Sequence, residues 1–136
     1  MNTALLNRTM CATLGLLSLL WAGNAYAAHP TSVGGTWTAT GNLTTGQLVI
    51  SQGAGTTCRV ITGTIFNSAI EGNYCPAVGR IVFVRKLSNG VPFQLYEGYV
   101  SQDATVDRIG GTFKIWNAAG GAATTDGLDY NFNASK

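Results

Sequence analysis

Residues 59–75 read RVITGTIFNSAIEGNYC. Runs of β-branched and aromatic residues with polar neighbours read as two β-strands, 59–67 and 69–75. Each run carries a glycine in its middle, Gly63 and Gly72. A glycine inside a strand loses entropy and packs nothing, so it marks a bend or a close approach of other backbone. The same device recurs at Gly35, Gly98 and Gly111, each closely followed by an apolar or aromatic residue. Strands that bend this often describe a sheet closing on itself. None of these glycines belongs to a Gly-x-Gly-x-x-Gly turn that opens a helix, so they do not cradle a phosphate.

Outward from this stretch the pattern repeats. No segment downstream of residue 28 has a helical period. Strands are predicted at 35–41, 46–52, 59–67, 69–75, 79–87, 93–102, 108–116 and 128–134. The joints SQGAGTT, CPAVG, LSNGVP, QDATVD and NAAGGAATTDG carry turn chemistry. Asn89-Gly90 is a two-residue hairpin signal. Eight strands with short connections and no helix to cover a face predict an all-β, antiparallel up-and-down barrel. Alternation places Ile109, Gly111, Phe113 and Ile115 on one face, and Ile81, Phe83 and Arg85 on one face of their strand. These faces are predicted to point inward.

The first residues stand apart from the fold. Arg8, the apolar run CATLGLLSLLWAG and the small-x-small Ala25-Tyr26-Ala27 form a signal-peptide pattern over 1–27. The apolar run is short for a membrane span. The expected mature chain has a flexible segment at 28–33 and one barrel domain at 34–136, exported to a periplasm or secreted. It keeps two of the three cysteines, Cys58 and Cys75. An isolated pair in an oxidising compartment reads as a disulfide, worth about 3 kcal/mol for so short a loop. A metal site is not expected, because zinc takes about four ligands and the only histidine is His29. With Arg8 in the leader, seven basic residues face six acidic ones. That balance points to neither nucleic acid nor anionic lipid.

The segments GGTWTATGN, ITGTIF, YEGYVS and GGTFKIW resemble parts of the first, third, sixth and seventh strands of avidins. The opening Gly-x-Trp is shared with lipocalins, and the eight-strand count with short turns favours the avidin type of calycin barrel. The resemblance spans roughly residues 34–134 and implies that Trp37 packs across the barrel floor. Tyr96 and Phe113 stand where avidins place two biotin-facing tryptophans. Ile65 stands where avidins place the tyrosine that binds the ureido oxygen. Leaving ureido groups unpaired costs about 1–3 kcal/mol each, so biotin is not the expected ligand. The chain is also similar to exported bacterial barrels of unassigned activity.

Catalysis needs a nucleophile with a base, a metal, or a tuned carboxylate pair. His29 is too close to the expected mature terminus to anchor a triad. Glu71 and Glu97 read as solvent-facing strand charges, and Asp103, Asp107, Asp126 and Asp129 as turn residues. The expectation is a non-enzymatic binding module without a cofactor. Asn67, Tyr74, Phe83, Arg85, Tyr96 and Phe113 form its candidate ligand cluster at the barrel mouth. Arg85 is the odd member, because an inward charge is costly unless paired or near the mouth. It either meets a ligand or pairs with an internal carboxylate such as Glu97. An alternative makes the barrel a support for protein interaction. Periplasmic metalloprotease inhibitors are similar one-disulfide barrels that insert an N-terminal tail, here AHPTSV at 28–33. An empty, partly polar interior fits the first reading. An interior filled by Phe83, Tyr96 and Phe113 fits the second. The partner, small molecule or protein, and the oligomeric state stay open at this level.

Overall fold

Strict in-out alternation builds the wall. The computed structural model of the chain describes residues 29–102, 106–115 and 129–136. The expected leader at 1–27, Ala28, Asp103, Trp116, Asp126 and the joint 117–127 lie outside the described residues. Eight strands follow one another: β1 (Gly35–Gly41), β2 (Thr44–Gln52), β3 (Arg59–Ile65), β4 (Ser68–Cys75), β5 (Arg80–Lys86), β6 (Pro92–Gln102), β7 (Asp107–Ile115) and β8 (Tyr130–Ser135). Each pairs antiparallel with its neighbour in sequence, and β1 pairs with β8 to close an all-antiparallel meander barrel. The closing seam is short, running from Thr38 opposite Ser135 to Gly41 opposite Phe132. Among the described residues no helix is long and apolar enough to cross a membrane.

Inward parity holds on the strands where it was expected. Ile81 and Phe83 on β5 are buried, as are Ile109 and Phe113 on β7. Phe132 and Ala134 do the same for β8. Each fully buried aliphatic or aromatic side chain contributes about 1.5–3 kcal/mol. The outer positions carry surface ion pairs instead, Arg80 with Glu97 at 3.0 Å and Lys86 with Glu71. Lys86 holds the Glu71 carboxyl below the usual carboxylate range.

The glycines mark close approach between strands. Gly63 has φ 144°, and a Cβ there would stand 1.9 Å from the Val49 carbonyl oxygen. Gly98 and Gly111 face each other across β6 and β7. Phe132, the partner of Gly111 on β8, lies edge-on to Tyr96 and Phe83 at 5.1 and 6.0 Å.

Two turns differ from expectation. The third strand stops at Ile65, not residue 67, because Phe66 and Asn67 take φ 49° and 63° and form a two-residue hairpin turn. Positive φ at both central residues is the type I′ geometry that matches strand twist. Asn89-Gly90 does not make a two-residue hairpin. It sits in a longer link, closed by Leu87 N–H to Val91 O at 2.8 Å and Gly90 N–H to Leu87 O at 2.9 Å. The register slips between Arg85 and Lys86, a bulge that takes up the extra length.

The two barrel ends are unlike. One is closed by residues 29–33, the segment expected to be flexible. Pro30 and Val33 are buried there. Tyr74 Oη donates to Pro30 O at 2.5 Å, and Trp37 Nε1 donates to Val33 O at 2.9 Å. Val33 N–H donates to Gln52 Oε1, and Arg59 Nη1 donates to Thr31 O, each at 2.8 Å. His29 Nδ1 lies 2.9 Å from Val100 O. The Cys58–Cys75 disulfide joins the start of β3 to the end of β4 at this same end. Trp37, 1% exposed, packs above the segment as floor.

Candidate functional site

Among the described residues the other end is open. The barrel middle is filled by one row of rings, since Phe83, Tyr96, Phe113 and Tyr130 are successive register partners across β5 to β8. Their centroids stand 4.8, 4.9 and 5.1 Å apart, with interplanar angles of 9°, 17° and 24°. Offset stacks of this kind add about 0.5–1.5 kcal/mol per pair beyond burial. Above the row lies a cavity of about 390 Å³, lined by Gly41, Asn42, Thr44, Phe66, Arg85, Gln94, Tyr96, Phe113, Ile115 and Tyr130. Its size falls within the range of small-molecule sites. The interior is therefore filled through its centre by this row and hollow at the mouth.

Arg85 is the charge of this site. It keeps its inward parity, and the bulge comes after it. Nη1 donates to Gln94 Oε1 at 3.1 Å and Nη2 to Ser68 Oγ at 3.0 Å. The guanidinium also lies 5.4 Å from the Phe66 ring and 5.0 Å from the Phe93 ring. Cation–π contacts contribute about 0.5–2 kcal/mol according to desolvation. Among the described residues no carboxylate pairs with Arg85. Glu97 points outward to Arg80. The Arg85 Nε is buried with no hydrogen-bond partner.

Gln94 is the buried polar partner, 7% exposed. Its Oε1 also accepts from Tyr96 Oη at 3.0 Å. Arginine only donates, so the glutamine must turn its oxygen toward Arg85. Phe66 covers the site from a strained backbone. A bulky residue at positive φ costs about 1–3 kcal/mol and persists only where its surroundings fix it. Here its N–H donates to Gln47 O at 3.0 Å, and a Cβ on Gly46 would stand 2.8 Å from its ring. Glycines under the ring and the cation beside it hold the turn.

The expected cluster is thus partly assembled. Arg85, Tyr96 and Phe113 line the cavity, and Phe83 stacks on Tyr96. Asn67 is an exposed turn residue and does not line it. Tyr74 lies at the floor, bound to Pro30. Gln94, Phe66, Ile115 and Tyr130 were not singled out from sequence. Gln94 shares parity with Tyr96, which was a usable signal. Among the described residues no three metal-ligating side chains gather. The chain matches no protein-family model, no curated protein and no solved structure.

Two buried phenols give the barrel an alkaline limit. Burial pushes Tyr96 above the ordinary value of 10.0, opposed by Arg85. Burial likewise raises Tyr74, with Asp107 adding and Arg59 opposing. The folded chain keeps these protons at a pH where the unfolded chain has lost them. Their contribution to stability is full below about pH 10 and declines as pH rises above it. Urea midpoints are expected to hold from pH 7 to 9 and fall beyond pH 10. Tyr96→Phe is expected to make that fall shallower, and an unchanged slope in this variant would refute the assignment.

Proposed function

We propose that this chain is an exported, non-enzymatic binding barrel of avidin-like type that takes a small molecule at its open mouth. One observation carries the reading: a cavity of about 390 Å³ at one end, floored by stacked rings and holding an arginine that meets no carboxylate among the described residues and whose buried Nε has no hydrogen-bond partner. The Cys58–Cys75 disulfide and the leader pattern at 1–27 support export to an oxidising compartment. Kinship with avidins rests on the four short segments, and Ile65, fully buried, supports a ligand other than biotin. Glu71 and Glu97 are held in outer ion pairs, which supports a role without catalysis. The tail residues 29–33 are engaged in the floor, so a structural role for them is favoured over insertion into a protease.

The test is a chemically mixed small-molecule panel, read by thermal shift and calorimetry on the oxidised chain. Ligands that bind the native state raise its midpoint. Thr44 lines the cavity and is exposed. Thr44→Trp should fill the mouth and abolish the shift while leaving the variant's own midpoint within about 2 °C, as for a surface change. Binding that survives Thr44→Trp would place the site elsewhere and overturn the reading.

A further inference from the structure

Resting on the mouth as a binding site, we propose that its ligand is a monoanionic carboxylate carried on a flat, aromatic body. The hydrogen-bonding inventory is one-sided. Of the five Arg85 N–H donors, one bonds Gln94 and one Ser68 among the described residues, and the buried Nε–H has no partner. The Gln94 carbonyl already receives two donors, from Arg85 and Tyr96. Its amide N–H groups make no bond among the described residues. Among the described residues the lining contains no aspartate or glutamate. A site rich in donors, with its central acceptor taken and an uncompensated cation, selects a ligand that accepts and carries negative charge.

The charge count favours a single negative charge. One guanidinium faces the cavity, while the cations nearest the mouth, Lys86 and Lys114, are held outside by Glu71 and Asp129. A phosphate dianion would enter with half its charge unmatched. A carboxylate matches the guanidinium in both charge and fork geometry. Shape supplies the rest. Phe66 and Phe93 flank the guanidinium, and Tyr96, Phe113 and Tyr130 form a continuous stacked wall beside it. A flat apolar body packs against that aromatic surface.

Three naphthalene probes test this by calorimetry on the oxidised protein: 2-naphthoate, 2-naphthamide and 2-naphthyl phosphate. Naphthoate is expected to bind at least about tenfold more tightly than the other two. Arg85→Gln should remove at least about tenfold of naphthoate affinity and level it with the amide. Arg85→Lys, which keeps charge but not the fork, should fall between. Arg80→Gln, on the outer wall, should leave binding unchanged. Circular dichroism and the melting midpoint confirm that each variant folds. Equal binding of amide or phosphate by the native chain overturns the inference, as does a naphthoate preference that survives in both Arg85 variants. If other panel compounds bind in a Thr44-dependent manner and naphthoate does not, the carboxylate assignment alone falls. If nothing in the panel binds, the mouth reading falls with it.

Discussion

Gly111→Ala is expected to cost at least about 3 kcal/mol, while Gly110→Ala, one residue earlier, is expected to stabilise by about 0.5 kcal/mol. A Cβ on Gly111 would stand 2.1 Å from the Glu97 carbonyl oxygen and 2.6 Å from the Gly98 Cα. Backbone on both sides cannot yield without parting β6 from β7. Phe132 is the register partner of Gly111 on β8, so a shift there also disturbs the β7–β8 ladder. Gly110 faces outward, and a Cβ there meets nothing within 4 Å. Its backbone needs no positive φ, so alanine there mainly reduces the entropy of the unfolded chain. For a domain whose whole stability is about 5–15 kcal/mol, the first change is severe. Chemical denaturation of the two variants decides the matter. Similar midpoints for both would contradict the strand spacing described above.

Removal of residues 28–33 from the mature chain is expected to lower stability by about 3 kcal/mol and the melting midpoint by roughly 15 °C. The deletion takes away Val33, fully buried, and the acceptors of two buried donors. Trp37 Nε1 loses Val33 O, and Tyr74 Oη loses Pro30 O. Orphaned buried donors cost about 1–3 kcal/mol each, partly relieved as water enters the opened floor. An unchanged midpoint would mean that the segment is an appendage and would revive a tail-borne function.

Sequence made the architecture legible because alternation and turn chemistry are local signals. Ile81, Phe83 and Arg85, and Ile109 and Phe113, were placed on the correct face by counting in twos. Height along the barrel was not legible. Tyr74 and Arg85 both point inward, but Tyr74 pairs with Ile81 near the floor while Arg85 pairs with Gln94 near the mouth. Register between strands sets that difference, and no single strand carries it. The Phe66–Asn67 turn was missed because phenylalanine at positive φ is stabilised by tertiary contacts with Gly46 and Arg85, which local propensity does not record. Asn89-Gly90 erred in the opposite way, a strong local signal absorbed by a bulge and a longer link.

The seam between β1 and β8 gives the barrel an order of assembly. Seven of the eight pairings join strands adjacent in the chain, and the longest link any of them must close is the one from Ile115 to Tyr130. The β3–β4 unit is covalently tied at its base by Cys58 and Cys75, so it is held together even before its neighbours arrive. The eighth pairing must bring Thr38 to Ser135 across nearly the whole domain. Loop closure over that span costs more entropy than any hairpin, and its reward comes only once both flanking ladders exist. The wall therefore zips from hairpin to hairpin and locks last along β1 and β8.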